Sequence, residues 1–489
     1  MFSATFIGHQ GWMLEAGETR ILVDPLLAET FGNTPGHEAV LFPPREIQFD
    51  RFPAITAVVL THEHEDHLCP AALDKLSRDI PIFISGNSSA AAVTILQEMG
   101  FEAQRLHPGQ VLGIGRMNLL AMGPAHERNE SNDEWDVIPF LAWDEQGDGS
   151  FFTSVDVATT EEMYQRARTY VPVPGVVALG WNSVHMGWRM LEPKEPDAFG
   201  LAQSLANNIL EAQRRLTRSW GAPAALAITG SGFSLQGDLE WINRNAFVVD
   251  AQQVIDGVQQ LGIPSVVVAP RPGQALTLGK DRPCRVVSRD YLRTLPRQRW
   301  PERSYTGDQP VLPPGYAPAC GRREAGPEQK AKLEEHLPDL ARFLYGTRVF
   351  QELLSLHTDE LRERRRSIAL VLKRDGDPWV FEYHPHQCRF VERETLNPYS
   401  AYPAGIECWA TDLLALFEGH VVASSGVGLG RARLWSHVPG KLQGLFTQVF
   451  TRFFHPLRRP EAALTMYRRV WANAQERRTD SRRIPRQGA

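Results

Sequence analysis

Four side chains able to bind a cation, His62, His64, Asp66 and His67, stand within six residues in the run His62-Glu63-His64-Glu65-Asp66-His67. Imidazoles two residues apart at the end of an extended segment project to the same side of the chain. Asp66 and His67 follow a turn and face a second position close by. Imidazole nitrogen suits Zn, Fe, Mn and Ni, and the added carboxylate keeps the site open to the harder of these ions. A structural zinc site would use thiolates and closed coordination, which this run does not offer. An open cation of this kind acidifies water and polarises a carbonyl or phosphoryl oxygen. A solvated charged loop with incidental histidines is the plainer alternative. Cys69, two residues past His67, reads more readily as a small buried hydrophobe than as a ligand.

Such a run needs a rigid support. AITAVVL before it has the pattern of a buried strand, PAALDKLSRD after it that of a short helix, and IPIFIS that of the next strand. ATFIG, WMLEA and RILVDPLL precede as strands separated by turn residues. VLGIG, MNLLAM, FFTSVD, GVVALGW, AALAIT and PSVVVA follow as further strands, with helical text from Asp197 to Trp220. Strands dominate the opening and helices are interspersed later, an order that fits a layered α/β sandwich better than a regular doubly wound sheet.

T-H-E-H-E-D-H resembles the metal motif of the metallo-β-lactamase superfamily. FIGHQGWMLEAGETRILVDPLL resembles the superfamily's opening hairpin, ending in Asp24. HPGQVLGIGRMNLLAMGPAH resembles its middle segment, ending in His126, and GSFFTSVD the strand ending in Asp156. The matches run in order over about residues 1–280. They look most like the branch of ascorbate-phosphate lactonase-like and phospholipase-D-like hydrolases. The nucleotide-sugar type of sialic-acid hydroxylase is similar over the opening hairpin and the metal loop. The resemblance implies an αββα sandwich and one or two divalent ions, Zn foremost, with Fe or Mn admissible. It implies a first ion on His62, His64 and His126, a second on Asp66 and His67, a bridge at Asp156, and Asp24 orienting ligand histidines from behind. The superfamily's pattern usually ends with one more histidine after a late strand. Here AALAIT ends at Thr229 and is followed by Gly230 and Ser231, with no histidine; His185 is a candidate substitute but comes early, and reads more readily as an ordinary loop histidine. The second position is therefore expected to be under-ligated.

The expected function is metal-dependent hydrolysis of an ester, lactone or phosphodiester, with Asp66 orienting or deprotonating the water. A di-iron oxygenase on the same fold is the alternative, for which Glu127 and Glu130 beside His126 are candidate carboxylates. A metal-binding scaffold without activity is a third reading. Trp12, Trp181 and Trp188 are candidates to line the mouth of the site, and equally candidates for packing.

The chain has 489 residues, more than one ordinary core accommodates. With 43% hydrophobic and 22% charged residues it has a globular composition. A net charge of −5 gives no basic field for nucleic acid. No apolar run is long enough for a membrane span and the opening lacks signal-peptide character, so the expected location is the cytoplasm and the expected partner a small molecule. The five cysteines show no paired spacing and read as reduced thiols. Residues 1–294 form the expected catalytic domain. A Pro-, Gly- and Arg-rich linker is expected over 295–329, a smaller α+β accessory domain over 330–475 and a disordered tail over 476–489. The accessory text is similar in pattern to the sterol-carrier fold, which implies a lipid-like ligand. The oligomeric state is not legible.

Overall fold

A computed structural model describes all residues except 33–38, 124–135, 182–197, 231, 248, 250, 261–264, 280–283, 302, 304–316, 348–366, 395–396, 423–430, 438–450, 478–482 and 488–489. Two sheets face each other. The first contains, in spatial order, Cys284–Ser288, Gln274–Leu278, β1 (Phe2–Gly8), β2 (Gly11–Ala16), β3 (Thr19–Val23), β4 (Ala57–Leu60), Ile82–Ser85 and Ala103–Leu106. Its opening strands are hairpin-linked and antiparallel, and pairing turns parallel from β3 onward. The second runs Val111–Ile114, Met117–Ala121, Phe140–Asp144, β5 (Ser150–Thr153), β6 (Val176–Gly180), β7 (Ala225–Thr229) and Val266–Val268, becoming parallel at β5.

Alternation along the strands sorts the side chains. Phe2, Ala4, Phe6, Trp12, Leu14, Ile21, Val23 and Val59 meet Met117, Leu119, Phe140, Phe151 and Val176 between the sheets. The opposite faces are covered by helices: α1 (Pro70–Leu73) and α2 (Ala90–Glu98) on the first sheet, and Glu161–Tyr170, Ala198–Ser219 and Ala251–Gln260 on the second. The layering is αββα, as the resemblance implies. Trp12 and Trp181 are packing residues: Trp12 is fully buried against Phe6 and Phe151, and Trp181 lies in the outer core of the second sheet. Trp188 lies outside the described residues.

The later part of the chain forms a five-stranded sheet, ordered Arg389–Glu392, Trp379–His384, Ile368–Lys373, Ala404–Trp409 and Arg433–Ser436. Helices Pro327–Tyr345 and Ala410–Phe417 cover one face. The Asp375-Gly376 pair turns the hairpin between Ile368–Lys373 and Trp379–His384. Leu442, Leu445, Phe446, Val449, Phe450, Phe453 and Phe454 have the spacing of one helix face; the first five lie outside the described residues, whereas Phe453 is buried in this second core.

Two expectations about the end of the chain are corrected. Helix α3 (Pro460–Glu476), assigned by sequence to the accessory region, packs on α1 and α2 of the first sheet's cover. Met466 and Tyr467 belong to that core. The tail, read as disordered from its arginines, is docked over residues 483–487. Ile484 is fully buried, its N–H donates to Lys75 O at 2.8 Å, and its carbonyl accepts from Ser77 N at 2.9 Å. Ile55 N donates to Pro485 O, and Arg20 reaches Gln487. One apolar side chain and four backbone hydrogen bonds outweigh what composition alone suggests. Among the described residues no helix is long and apolar enough to cross a membrane.

Candidate metal centre

Four segment ends converge at one end of the sandwich: the β1–β2 turn, the loop after β3, the loop after β4 and the turn after β5. Three of them contain a residue with left-handed backbone, His9 (φ 56°), Asp24 (φ 42°) and Val155 (φ 54°). Such conformations cost about 1–3 kcal/mol each in residues other than glycine, and persist where surrounding contacts enforce them. Val155 places the following Asp156 beneath the histidine loop.

The described side chains meet in two groups, His62 with His67 and Asp156, and His9 with Asp66 and His67. In each, one ligand atom per residue lies within 4.8 Å of the others. Asp156 Oδ2 stands 2.9 Å from His67 Nε2 and 3.6 Å from His62 Nε2. The His62 and His64 rings lie 4.6 Å apart, so the H-x-H pair does share a side, though His64 joins neither group at this distance. Asp66 is the most open of the set, with 26% of its side chain exposed. His126, Glu127, Glu130 and His185 lie outside the described residues. Cys69 is buried at the start of α1, where burial pushes its thiol up to about 11, and it belongs to neither group.

Behind the imidazoles Asp24 fixes their protons. Its carboxylate accepts from Thr61 N at 2.8 Å, Thr61 Oγ1 at 2.6 Å and His67 Nδ1 at 2.8 Å. A carboxylate only accepts, so the single Thr61 hydroxyl proton points at Asp24, and the hydroxyl oxygen accepts from His62 Nδ1 at 3.1 Å. Both imidazoles thus carry a proton on Nδ1. Their Nε2 atoms are buried and face Asp156 Oδ2, at 3.6 Å from His62 and 2.9 Å from His67. Inward-facing imidazole nitrogens beside carboxylates suit a divalent cation, which would take the place of the proton that those carboxylates favour on His67, and the donor set fits one.

Charge is concentrated here. Burial and the neighbouring His67 and His64 hold His62 well below the usual imidazole range. Burial opposes the charge on His67 too, but Asp66, Asp24 and Asp156 drive its pKa well above that range. Desolvation works to raise Asp66 and Asp156; the surrounding imidazoles, His67 foremost, hold both far below the usual carboxylate range. Glu63 points the other way along the strand end, accepting from Ser89 N and Oγ. Burial and Asp136 push it up to about 7.

Sequence reasoning missed His9, Gln10 and the C-terminal helix. Gly8-His9-Gln10-Gly11 reads as an ordinary tight turn, and nothing in it signals that His9 Nε2 lies 2.8 Å from Asp66 Oδ2, or that Gln10 Nε2 donates to Asp156 Oδ1 at 3.2 Å. Tyr467 on α3 directs its hydroxyl at Glu63, with the backbone carbonyl at 3.2 Å. His455 sits beside the loop, its ring 6.3 Å from that of His64 and its Nε2 3.9 Å from Asp136 Oδ1.

Residues 3–150 match the family model of a beta-lactamase superfamily domain. A stretch of 100 residues is 35% identical to cytidine monophosphate-N-acetylneuraminic acid hydroxylase of Danio rerio; it makes up 20% of this chain and 16% of that protein's length. Among solved structures, a possible metal-dependent hydrolase from Veillonella parvula is similar at 18% identity over 57% of this chain and all of the other, with a TM-score of 0.41. The diiron β-hydroxylase CmlA from Streptomyces venezuelae is similar at 16% identity, over 57% of this chain and 54% of its own, with a TM-score of 0.37. The H-x-H-x-D-H loop thus stands at the end of an αββα sandwich, within residues 3–150, which match the beta-lactamase superfamily domain.

Proposed function

We propose that the N-terminal domain is a metal-dependent hydrolase acting on an ester, lactone or phosphodiester of a small molecule. The observation that carries this reading is the pair of inward-facing Nε2 atoms, His62 and His67, turned toward Asp156, with Asp24 holding the His67 Nδ1 proton directly and that of His62 through Thr61. His62, His64, Asp66, His67 and Asp156 would hold the ion or ions, with His126 added by the resemblance. A divalent cation there, Zn foremost and Fe or Mn admissible, supplies Lewis acidity that polarises a carbonyl or phosphoryl oxygen and acidifies water. Asp66 is partly open to solvent, so its carboxylate can accept a hydrogen bond from the attacking water and orient it. The buried Asp24–Thr61 pair keeps both imidazoles from rotating.

The test is turnover of ester, lactone and phosphodiester substrates by full-length protein stripped with a chelator and reloaded with Zn(II) or Mn(II), beside His64→Ala. Turnover that depends on the ion and is lost in the variant is expected. Equal turnover in parent, stripped protein and variant refutes the proposal. The local identity to a hydroxylase favours a second reading, oxygen chemistry at one or two irons. Protein produced in iron-rich medium that retains iron and consumes O₂ with substrate would select it. Ion binding without turnover of either kind would leave the scaffold reading.

A further inference from the structure

The two carboxylates flanking the imidazoles are each held by one residue of the β1–β2 turn, and each of those residues is held by the end of β7. His9 Nε2 lies 2.8 Å from Asp66 Oδ2, while the N–H of Gly232 donates to His9 Nδ1 at 3.4 Å. A ring nitrogen that receives an N–H carries no proton, so neutral His9 has its proton on Nε2 and donates it to Asp66. Gln10 repeats the pattern. Asp156 can only accept, so the Gln10 NH₂ faces it, leaving Oε1 toward Thr229, whose hydroxyl donates at 2.8 Å. Both approaches are close. A Cβ on Gly232 would stand 3.0 Å from His9 Cα and from Phe42 O, and one on Gly180 would stand 2.8 Å from Val155 O and 3.1 Å from Gln10 Nε2.

His9 therefore has the opposite proton placement to His62 and His67. Although its Nε2 falls within the Asp66–His67 group, that nitrogen has no lone pair to offer a cation. We infer that His9 and Gln10 are positioning residues. Gln10 occupies Asp156 Oδ1 and leaves Oδ2 facing His62 and His67, while His9 donates to Asp66 Oδ2, the oxygen 3.8 Å from His67 Nε2, and so fixes how that carboxylate is presented to the imidazoles. The end of β7, where the resemblance leads one to look for a ligand histidine, instead acts through this dipeptide by way of Thr229 and Gly232. The positioning role rests on the metal-dependent reading above; the proton placement on His9 does not.

The experiment uses full-length protein with ¹⁵N-labelled histidine, examined by long-range ¹H–¹⁵N NMR before and after addition of excess Zn(II), with His9→Ala to assign the signal. His9 is expected to keep its proton on Nε2 and none on Nδ1 in both states. A proton on Nδ1, or loss of the Nε2 proton when Zn(II) is added, would overturn the inference and make His9 a ligand. Calorimetry with Zn(II) gives the second readout. His9→Ala and Thr229→Val are each expected to weaken binding by about 10- to 100-fold, the usual effect of losing a partner that orients a ligand. His9→Gln, which can present an amide N–H to Asp66, is expected to recover part of the loss. Parental Zn(II) affinity in both His9→Ala and Thr229→Val would refute the positioning role. A parent that binds no Zn(II) sinks the functional reading and the positioning role with it, while the proton pattern on His9 is still decided by the NMR of the metal-free protein.

Discussion

Asp24→Asn is nearly isosteric and changes one thing, the ability of this buried group to accept at both oxygens. Asp24 receives one hydrogen bond at Oδ1, from Thr61 N, and two at Oδ2, from Thr61 Oγ1 and His67 Nδ1. An amide nitrogen placed at Oδ1 would face a backbone N–H donor. Placed at Oδ2, it would donate to Thr61 and His67, so the Thr61 proton would turn to His62 Nδ1 and His67 Nδ1 would have to be bare. In that arrangement both imidazoles carry their proton on Nε2, and neither can bind a cation through it. An orienting partner of this kind is worth about 10- to 100-fold in metal affinity. Because Asp24 sets two imidazoles, its replacement belongs at the upper end, about 100-fold or about 2.7 kcal/mol. Competition against a chromophoric chelator measures the affinity, and near-UV circular dichroism checks that the variant is folded. A folded Asp24→Asn protein binding Zn(II) within about threefold of the parent, a difference under 1 kcal/mol, would refute the proton assignment on which the metal centre rests.

Tyr467→Phe removes the hydroxyl that reaches Glu63, and is expected to lower unfolding free energy in urea by about 1 kcal/mol. Truncation after residue 482 removes the buried Ile484 and its backbone bonds, and is expected to lower stability by at least about 1.5–3 kcal/mol, seen as a reduced Tm. Arg468, hydrogen-bonded to Glu98, holds that carboxyl below its usual range. The stability this adds is complete above the ordinary carboxylate pKa and is lost as pH falls through the lowered value. Arg468→Ala should therefore return Glu98 to the ordinary range in an NMR titration and make the protein's stability less dependent on pH on the acid side.

The metal loop was legible because its chemistry is local: four donors in six residues have no packing purpose, and the strand before them is a plain apolar run. Asp24 and Asp156 were reached only through the resemblance, since an aspartate after a strand also suits a turn. His9 and Gln10 escaped because their partners, Asp66 and Asp156, are brought to them by sheet topology, and because a left-handed turn residue looks like any other in a one-dimensional pattern. The end of the chain misled for a different reason. Its arginines dominate the composition of the last residues, while the deciding contacts are one isoleucine and the backbone, which composition does not weigh. Helix α3 has the periodicity of any amphipathic helix, and periodicity does not say which core its apolar face will join.

The clasp of α3 over the first sheet has a consequence for how the protein is made. Glu63, between His62 and His64, is covered by Tyr467, and the edge near Ile55 and Leu76 is closed by residues 484–487. During synthesis the amino-terminal sandwich emerges with this flank bare and its apolar floor open to water. The flank around Glu63 cannot finish packing until Tyr467, 404 residues further on, has been translated. Ribosomes stalled inside the second sheet would hold a domain that still needs shielding from aggregation, and the loop around Glu63 reaches its final rigidity only once the end of the chain has docked.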